Sequence, residues 1–85
     1  RYYLAYLYAS DGQWQAARRN IELAWHGGRD LKTGAFLAKV CLHEGDLDCM
    51  QRVVTELEKI IRPFEKQGQA ELADLKNLLT QERVN

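Results

Sequence analysis

Hydrophobic residues recur at three- and four-residue intervals along most of the chain, the spacing of amphipathic helices. The first such stretch runs from Tyr2 to about Ser10, and the second runs from Gln13 to His26 and stops at a Gly-Gly pair. Their apolar faces comprise Tyr3, Leu4, Leu7 and Tyr8 in the first stretch and Trp14, Ala17, Ile21, Ala24 and Trp25 in the second. The pattern predicts two helices joined by a short turn that contains Gly12.

Two more helices are predicted between residues 31 and 61. Asp30 and Asp46 each precede an apolar periodic stretch, where an aspartate is a favoured N-cap. The third helix should span about Leu31 to His43, and the fourth should span about Leu47 to Ile61. Their inward rows are Phe36, Leu37, Val40 and Cys41 in the third and Leu47, Met50, Val53, Val54, Leu57 and Ile61 in the fourth.

Pro63 marks the next boundary, because proline removes a backbone donor and disfavours a helical residue before it. A fifth helix should begin loosely around Phe64, be weakened by Gly68 and become regular from Gln69 to Arg83. Its apolar side would carry Leu72, Leu75, Leu78 and Leu79. No stretch alternates with period two, so the predicted fold class is all-α.

The chain also repeats itself. An offset of 33 residues aligns Leu4 with Leu37, Ala5 with Ala38, Gly12 with Gly45 and Arg19 with Arg52. Hydrophobic character is kept at further pairs, which include Tyr3 with Phe36, Leu7 with Val40, Trp14 with Leu47 and Ile21 with Val54. A period of this length with two helices per unit indicates stacked helical hairpins.

The first unit resembles the tetratricopeptide repeat family in the order and spacing of Leu4-Ala5, Tyr8, Gly12, Trp14, Ala17, Ile21 and Ala24. The resemblance implies a right-handed superhelix of antiparallel hairpins in which small residues let helices approach closely. It divides the single domain, residues 1–85, into a first repeat at 1–28, a degenerate second repeat at 31–62 and a C-terminal capping helix at 64–83. The alternative for this last helix is the first half of a third unit. In the second repeat, Met50 replaces the small residue, Cys41 replaces the aromatic one and Gly34 replaces the initial tryptophan of the family.

Two hairpins make a short stack, because such units gain stability chiefly from their neighbours. The chain opens at Arg1 directly into helical periodicity, without a methionine, a leader or a polar lead-in. We therefore expect it to be a fragment of a longer repeat protein. Apolar residues at exposed repeat ends would then favour self-association.

Charge and composition exclude several classes of function. Twelve Lys and Arg balance twelve Asp and Glu, which argues against nucleic-acid binding and against a polybasic membrane anchor. No apolar run approaches the length of a membrane span, so no membrane insertion is expected. These features predict a soluble chain but leave its compartment open between cytoplasmic and exported.

No constellation of residues suggests catalysis or a cofactor. Ser10 is the single serine, and neither His26 nor His43 has an evident orienting partner. A zinc site formed by Cys41, His43 and Cys49 is rejected, because residues two apart on a helix point to different sides. The chain is therefore predicted not to be an enzyme and to hold no metal or cofactor.

Cys41 and Cys49 lie at equal distances from Gly45, the apex of the second hairpin. In an oxidising compartment of the periplasmic type they could form a disulfide, which would stabilise the fold by about 2.5 kcal/mol through loop closure. The alternative is a buried, apolar Cys41 with a reduced Cys49 beside it. The sequence leaves both interpretations open.

In tetratricopeptide proteins the first helix of each unit lines a concave groove, and the resemblance transfers this role to eight positions. They are Tyr2, Tyr6 and Ala9 in the first unit and Lys32, Ala35, Lys39, Leu42 and His43 in the second. Tyrosines offer rigid area with a hydroxyl, and lysines attract carboxylates, so this set would suit a peptide. The alternative is that Tyr2 and Tyr6 merely pack against a preceding hairpin. Trp14 is predicted to be core, whereas Trp25 could contact either the third helix or a neighbouring unit.

Some family members clamp a carboxyl-terminal tail, but Tyr6 and Phe36 replace the Asn and Arg expected for that activity. The resemblance therefore implies a scaffold that binds a peptide or helical segment of another protein. One alternative is a client-specific chaperone for a secreted protein. The other is a structural or regulatory segment of a larger enzyme or transcription regulator.

Overall fold

The structure, a computed structural model that describes residues 1–84, consists of five α-helices. They are α1 (Tyr2–Ser10), α2 (Trp14–Gly27), α3 (Leu31–His43), α4 (Leu47–Ile60) and α5 (Lys66–Val84). Helices α1 and α2 form one hairpin, α3 and α4 form a second, α2 packs against α3, and α5 covers α3 and α4. The all-α prediction is confirmed, and the described residues contain no strand.

The two hairpins turn in the same way. Gly12 and Gly45 have φ angles of 76° and 75°, in the left-handed region that only glycine adopts readily. The residue after each glycine donates its backbone N–H to a carbonyl of the first helix, from Gln13 to Tyr8 at 2.8 Å and from Asp46 to Cys41 at 2.9 Å. The repeat seen in the sequence is therefore also a repeat of backbone geometry.

The two predicted N-caps are confirmed. Asp30 accepts a hydrogen bond from the backbone N–H of Thr33 at 2.8 Å, and Asp46 accepts one from Cys49 at 3.0 Å. These bonds satisfy amide groups that have no partner inside the helix. They explain why α3 and α4 begin where they do.

The core lies between the two hairpins and beneath α5. Small residues lie where helices approach most closely, since Ala5, Ala17 and Ala38 have no exposed surface. Larger apolar side chains fill the remaining space, and the cluster comprises Ile21, Trp25, Leu37, Val40, Cys41, Cys49, Met50, Val53, Val54, Leu57, Ile61, Leu72, Leu75 and Leu79. Trp25 lies against Gly34, so of its two predicted contacts the structure shows the one with the third helix.

One predicted boundary needs correction, since helix α5 is regular from Lys66 rather than from Gln69. Gly68 lies in its first turn, where the absent side chain makes room for Ile61, whose Cγ2 would lie 2.8 Å from an added Cβ. The apolar face predicted for α1 is largely open, since Tyr3, Leu4 and Leu7 are 69%, 47% and 44% exposed and no described helix covers them.

An ionic cluster joins α2 to the turn of the second hairpin. The guanidinium of Arg18 contacts Glu22 at 3.3 Å, Glu44 at 3.0 Å and Asp46 at 2.9 Å. Burial acts to lower the pKa of Arg18, but these carboxylates outweigh it and raise the pKa. The pKa of Asp46 is lowered, first by the hydrogen bond from the N–H of Cys49 and then by Arg18. Asp46 thus caps α4 and also anchors α2.

We expect Asp46→Ala to lower the free energy of unfolding by about 1 kcal/mol, mainly through loss of the N-cap. Asp46→Asn should cost less, because asparagine is also a good cap and only the ion pair with Arg18 is lost. Urea denaturation measures both, with Asp74→Asn on α5 as a control for removing one surface carboxylate. Equal losses for the alanine and asparagine variants would contradict the capping role.

The same residue predicts a pH dependence. A carboxylate whose pKa is lowered in the folded chain stabilises it above the unfolded value, here 3.8, and stops doing so as the pH falls through the lower folded value. The stability difference between the unmodified chain and Asp46→Asn should therefore shrink as the pH falls below 3.8. Denaturation curves recorded from neutral to acid pH test this, and a constant difference would contradict it.

Candidate functional site

A concave groove of about 1120 Å³ runs along the side of the molecule formed by α1, α3 and α5. All eight positions that the resemblance assigns to a groove line it. The remaining lining residues are Ser10, Trp14, Leu31, Phe36, Val40, Gln67, Glu71 and Glu82. The hairpins bring the predicted residues together because α1 and α3 lie one repeat apart and present the same face.

An aromatic pair connects α1 and α3 at one end of the groove. The rings of Tyr2 and Phe36 meet edge to face, with centroids 5.1 Å apart. The Nζ atom of Lys32 lies 4.5 Å from the centroid of the Tyr2 ring, a cation–π distance. Tyr2 is therefore held by contacts within this chain, and it presents a partly exposed, positively flanked ring to the groove.

A second aromatic pair lies on the other side of the groove. The rings of Trp14 and His43 stack with centroids 3.8 Å apart and an angle of 25° between their planes. Trp14 is partly buried, and it both packs against the core and lines the groove. Its position at the start of α2 directs it towards the end of α3.

The basic and acidic residues of the groove belong to different helices. Lys32, Lys39 and His43 follow one another along α3, whereas Glu71 and Glu82 belong to α5. The Nζ atom of Lys39 contacts Glu71 at 3.4 Å, and both side chains keep a substantial exposed fraction. An exposed pair of this kind contributes little to stability, so a ligand can exchange it at small cost.

Tyr6 is the most accessible aromatic residue of the groove. It is 54% exposed, whereas Ala35 beneath the groove is 7% exposed. Its backbone carbonyl accepts a hydrogen bond from the hydroxyl of Ser10 at 2.9 Å, which belongs to the turn of the helix and leaves the ring free. Tyr6 therefore offers apolar area and a hydroxyl that no described residue engages.

Sequence reasoning missed the part of the groove that α5 supplies. At the 33-residue offset Gln67, Glu71 and Glu82 align with Gly34, Ala38 and Cys49, residues of different character, so the repeat carried no signal for them. Phe36, predicted to face inward, packs against the core, and its partial exposure and its contact with Tyr2 place it on the groove wall as well. The aromatic match between positions 3 and 36 was the available signal, but it did not show which face either ring occupies.

The two cysteines lie beside each other at the end of the second hairpin. Their sulfur atoms are within bonding distance, and their Cα atoms are 5.9 Å apart. Cys41 has no exposed surface and Cys49 is 4% exposed. Within residues 1–84, no three His, Cys, Asp or Glu residues are grouped so that they could hold a metal ion.

A smaller cavity of about 500 Å³ lies on the opposite side, between α2 and α4. Arg29 bridges its rim, with the guanidinium 5.5 Å from the Trp25 ring centroid and 3.2 Å from Glu56. These contacts of Arg29 help to hold the two hairpins together. None of the helices described for residues 1–84 has both the length and the apolar character that crossing a membrane requires.

Comparison with known proteins adds no relative. No protein-family model, curated protein or solved structure matches this chain. The likeness to tetratricopeptide repeats therefore remains a resemblance carried by the residues and their spacing. In its architecture the chain is a stack of two helical hairpins covered at one end by a fifth helix.

Proposed function

We propose that this chain is a protein-interaction module that binds a peptide or helical segment of another protein in the groove between α1, α3 and α5. The observation that supports this most directly is the convergence of four aromatic rings and three basic or titratable α3 side chains on one open groove. Apolar concavities with a few placed polar groups are the usual form of binding sites. The sequence suggests no catalytic constellation, and the proposal is therefore binding and not turnover.

The groove suits a segment of several residues. Its volume of about 1120 Å³ lies just above the range of about 300 to 1,000 Å³ that is typical of small-molecule pockets. The rings of Tyr2 and Trp14 are already fixed by Phe36 and His43, so little conformational entropy is lost when a ligand packs on them. Tyr6 would supply the main exposed contact area, and Lys32 would favour a ligand with a carboxylate beside its apolar residue.

We expect a groove variant carrying Tyr6→Ala, Lys39→Ala and His43→Ala to lose at least tenfold in affinity for the ligand, about 1.4 kcal/mol. All three side chains are exposed, so the fold should persist, and circular dichroism checks this. The matched control carries Phe64→Ala, Lys59→Ala and His26→Ala, three exposed residues of similar types outside the groove. The control should bind like the unmodified chain.

The ligand is identified with a photocrosslinking amino acid at position 6, and with the same group at position 64 as the control. Proteins from the native extract that crosslink at position 6 alone are mapped to the attached segment, which is then synthesised and titrated. Loss of binding in the groove variant alone would support the proposal. Equal binding to both variants would refute it and favour a structural role for the hairpins within a larger protein.

A further inference from the structure

An apolar face outside the groove has a covered counterpart in the same molecule. Tyr3, Leu4, Leu7 and Leu23 are 69%, 47%, 44% and 51% exposed, and we call them the outer face of the first hairpin. At the 33-residue offset, Leu4 and Leu7 correspond to Leu37 and Val40, which are 2% and 1% exposed. The difference arises because α2 packs against α3, whereas no described helix packs against the equivalent side of α1.

The covered face of α3 shows which kind of surface packs on such a row of residues. Helix α2 contributes Ile21 and Trp25 to the core shared with Leu37 and Val40. At the end of this contact, Arg18 of α2 binds Glu44 at 3.0 Å. Position 56 faces the linker that follows α2, since Glu56 contacts Arg29 at 3.2 Å, and its equivalent in the first hairpin is Leu23.

The first hairpin repeats the acidic end of this contact as well. Asp11 is the equivalent of Glu44, and it is exposed at the turn between α1 and α2. Asp46 has Gln13 as its equivalent, and the Gln13 side chain donates a hydrogen bond to Asp11 at 2.8 Å. Asp11 is therefore the carboxylate at the turn of the first hairpin. A row of aliphatic and aromatic residues thus ends at an exposed acid, as it does on the covered face.

We infer that the outer face of the first hairpin docks an amphipathic helix of a partner protein, with an aliphatic and aromatic stripe on Leu4, Leu7 and Leu23 and an Arg or Lys paired with Asp11. A second copy of this chain is a poorer match, because its exposed apolar helix α1 contains no Arg or Lys to pair with Asp11. Its Ile21 and Trp25 are buried, and its Arg18 is engaged by three carboxylates. The exposed surface of its α5 is largely polar, with Asp74, Lys76, Asn77 and Thr80.

The test uses a fluorescent synthetic peptide with the sequence of residues 13–28, because this helix covers the equivalent face inside the molecule. Its binding to the full chain is followed by fluorescence anisotropy. We expect saturable binding that weakens at least tenfold in Leu7→Glu and in Asp11→Lys. The groove variant and Phe64→Ala, an exposed aromatic residue elsewhere, should bind the peptide unchanged. Because the groove variant is included, failure here is distinguishable from failure of the proposed function.

A charge exchange separates specific docking from general hydrophobic adsorption. The peptide carrying Arg18→Glu should bind the unmodified chain poorly and bind Asp11→Lys well. Absence of saturable binding, or binding that Leu7→Glu leaves unchanged, would overturn the inference. So would a stable dimer in sedimentation experiments that Leu7→Glu dissociates, because a second copy would then occupy this face.

Discussion

Substituting Gly34 with valine is expected to lower the free energy of unfolding by about 3 kcal/mol, the upper part of the usual range for overpacking a core. A Cβ atom at this position would lie 2.7 Å from Cζ3 of Trp25 and 2.8 Å from Cδ2 of Leu57. Both side chains are buried, at 4% and 0% exposure, so neither can move aside without displacing its own neighbours. Alanine should cost about 1 kcal/mol, because its better helix propensity offsets part of the clash.

Thermal and urea denaturation would measure both variants, with Gly27→Ala as the matched control. Gly27 is also helical, but an added Cβ there meets no heavy atom within 4 Å, so its substitution should be neutral or slightly stabilising. In the Gly34→Ala background, Trp25→Leu should cost less than it does alone, because the smaller side chain relieves the clash. Strictly additive losses, or a valine variant as stable as the original, would contradict the close packing of α2 on α3.

Local signals in the sequence account for most of the fold. Helix α3 has the predicted bounds, and the predicted ends of the other helices lie within a few residues of those observed. The helix ends could be predicted from four residues, Asp30, Asp46, Gly12 and Gly45, because caps and left-handed turns depend on residues close in the chain. The 33-residue repeat then indicated which helices pair.

Whether an apolar face is covered depends on the whole molecule, and periodicity does not specify it. The pattern places Leu4 and Leu7 on one apolar face, as it does Leu37 and Val40, yet only the second pair has a described helix against it. Trp14 and Phe36 pack against the core and also line the groove, a double role that the pattern does not indicate. A helical pattern shows that apolar side chains share a face, but it does not show whether that face meets a neighbour or a groove.

The groove was predicted in position but not in full composition. The resemblance transferred residues of α1 and α3, because both helices belong to repeat units. Glu71 of α5 aligns with Ala38 at the same offset, so the repeat gave no indication of this carboxylate or of its contact with Lys39. Side-chain pairs such as Trp14 with His43 depend on the angle between two hairpins, which spacing along the chain does not specify.

Reducing the bond between Cys41 and Cys49 is expected to lower the free energy of unfolding by about 2.5 kcal/mol, since it releases a short closed loop in the unfolded chain. The measurement compares urea denaturation with and without dithiothreitol. The double variant Cys41→Ala and Cys49→Ala serves as the control, because the reductant should not change its stability. A thiol count on the denatured, unreduced chain should find no free thiol. Two free thiols, or an unchanged midpoint on reduction, would refute the pairing.

The helices themselves should survive reduction. The turn between α3 and α4 is also held by the cap of Asp46 on Cys49 and by the hydrogen bond from the Asp46 N–H to the Cys41 carbonyl, at 3.0 Å and 2.9 Å. These bonds do not involve sulfur, and domains of this size are commonly stable by about 5 kcal/mol or more. Helical circular dichroism at room temperature should therefore persist while the denaturation midpoint falls. Loss of the helical signal on reduction would instead mean that the second hairpin depends on the disulfide to fold.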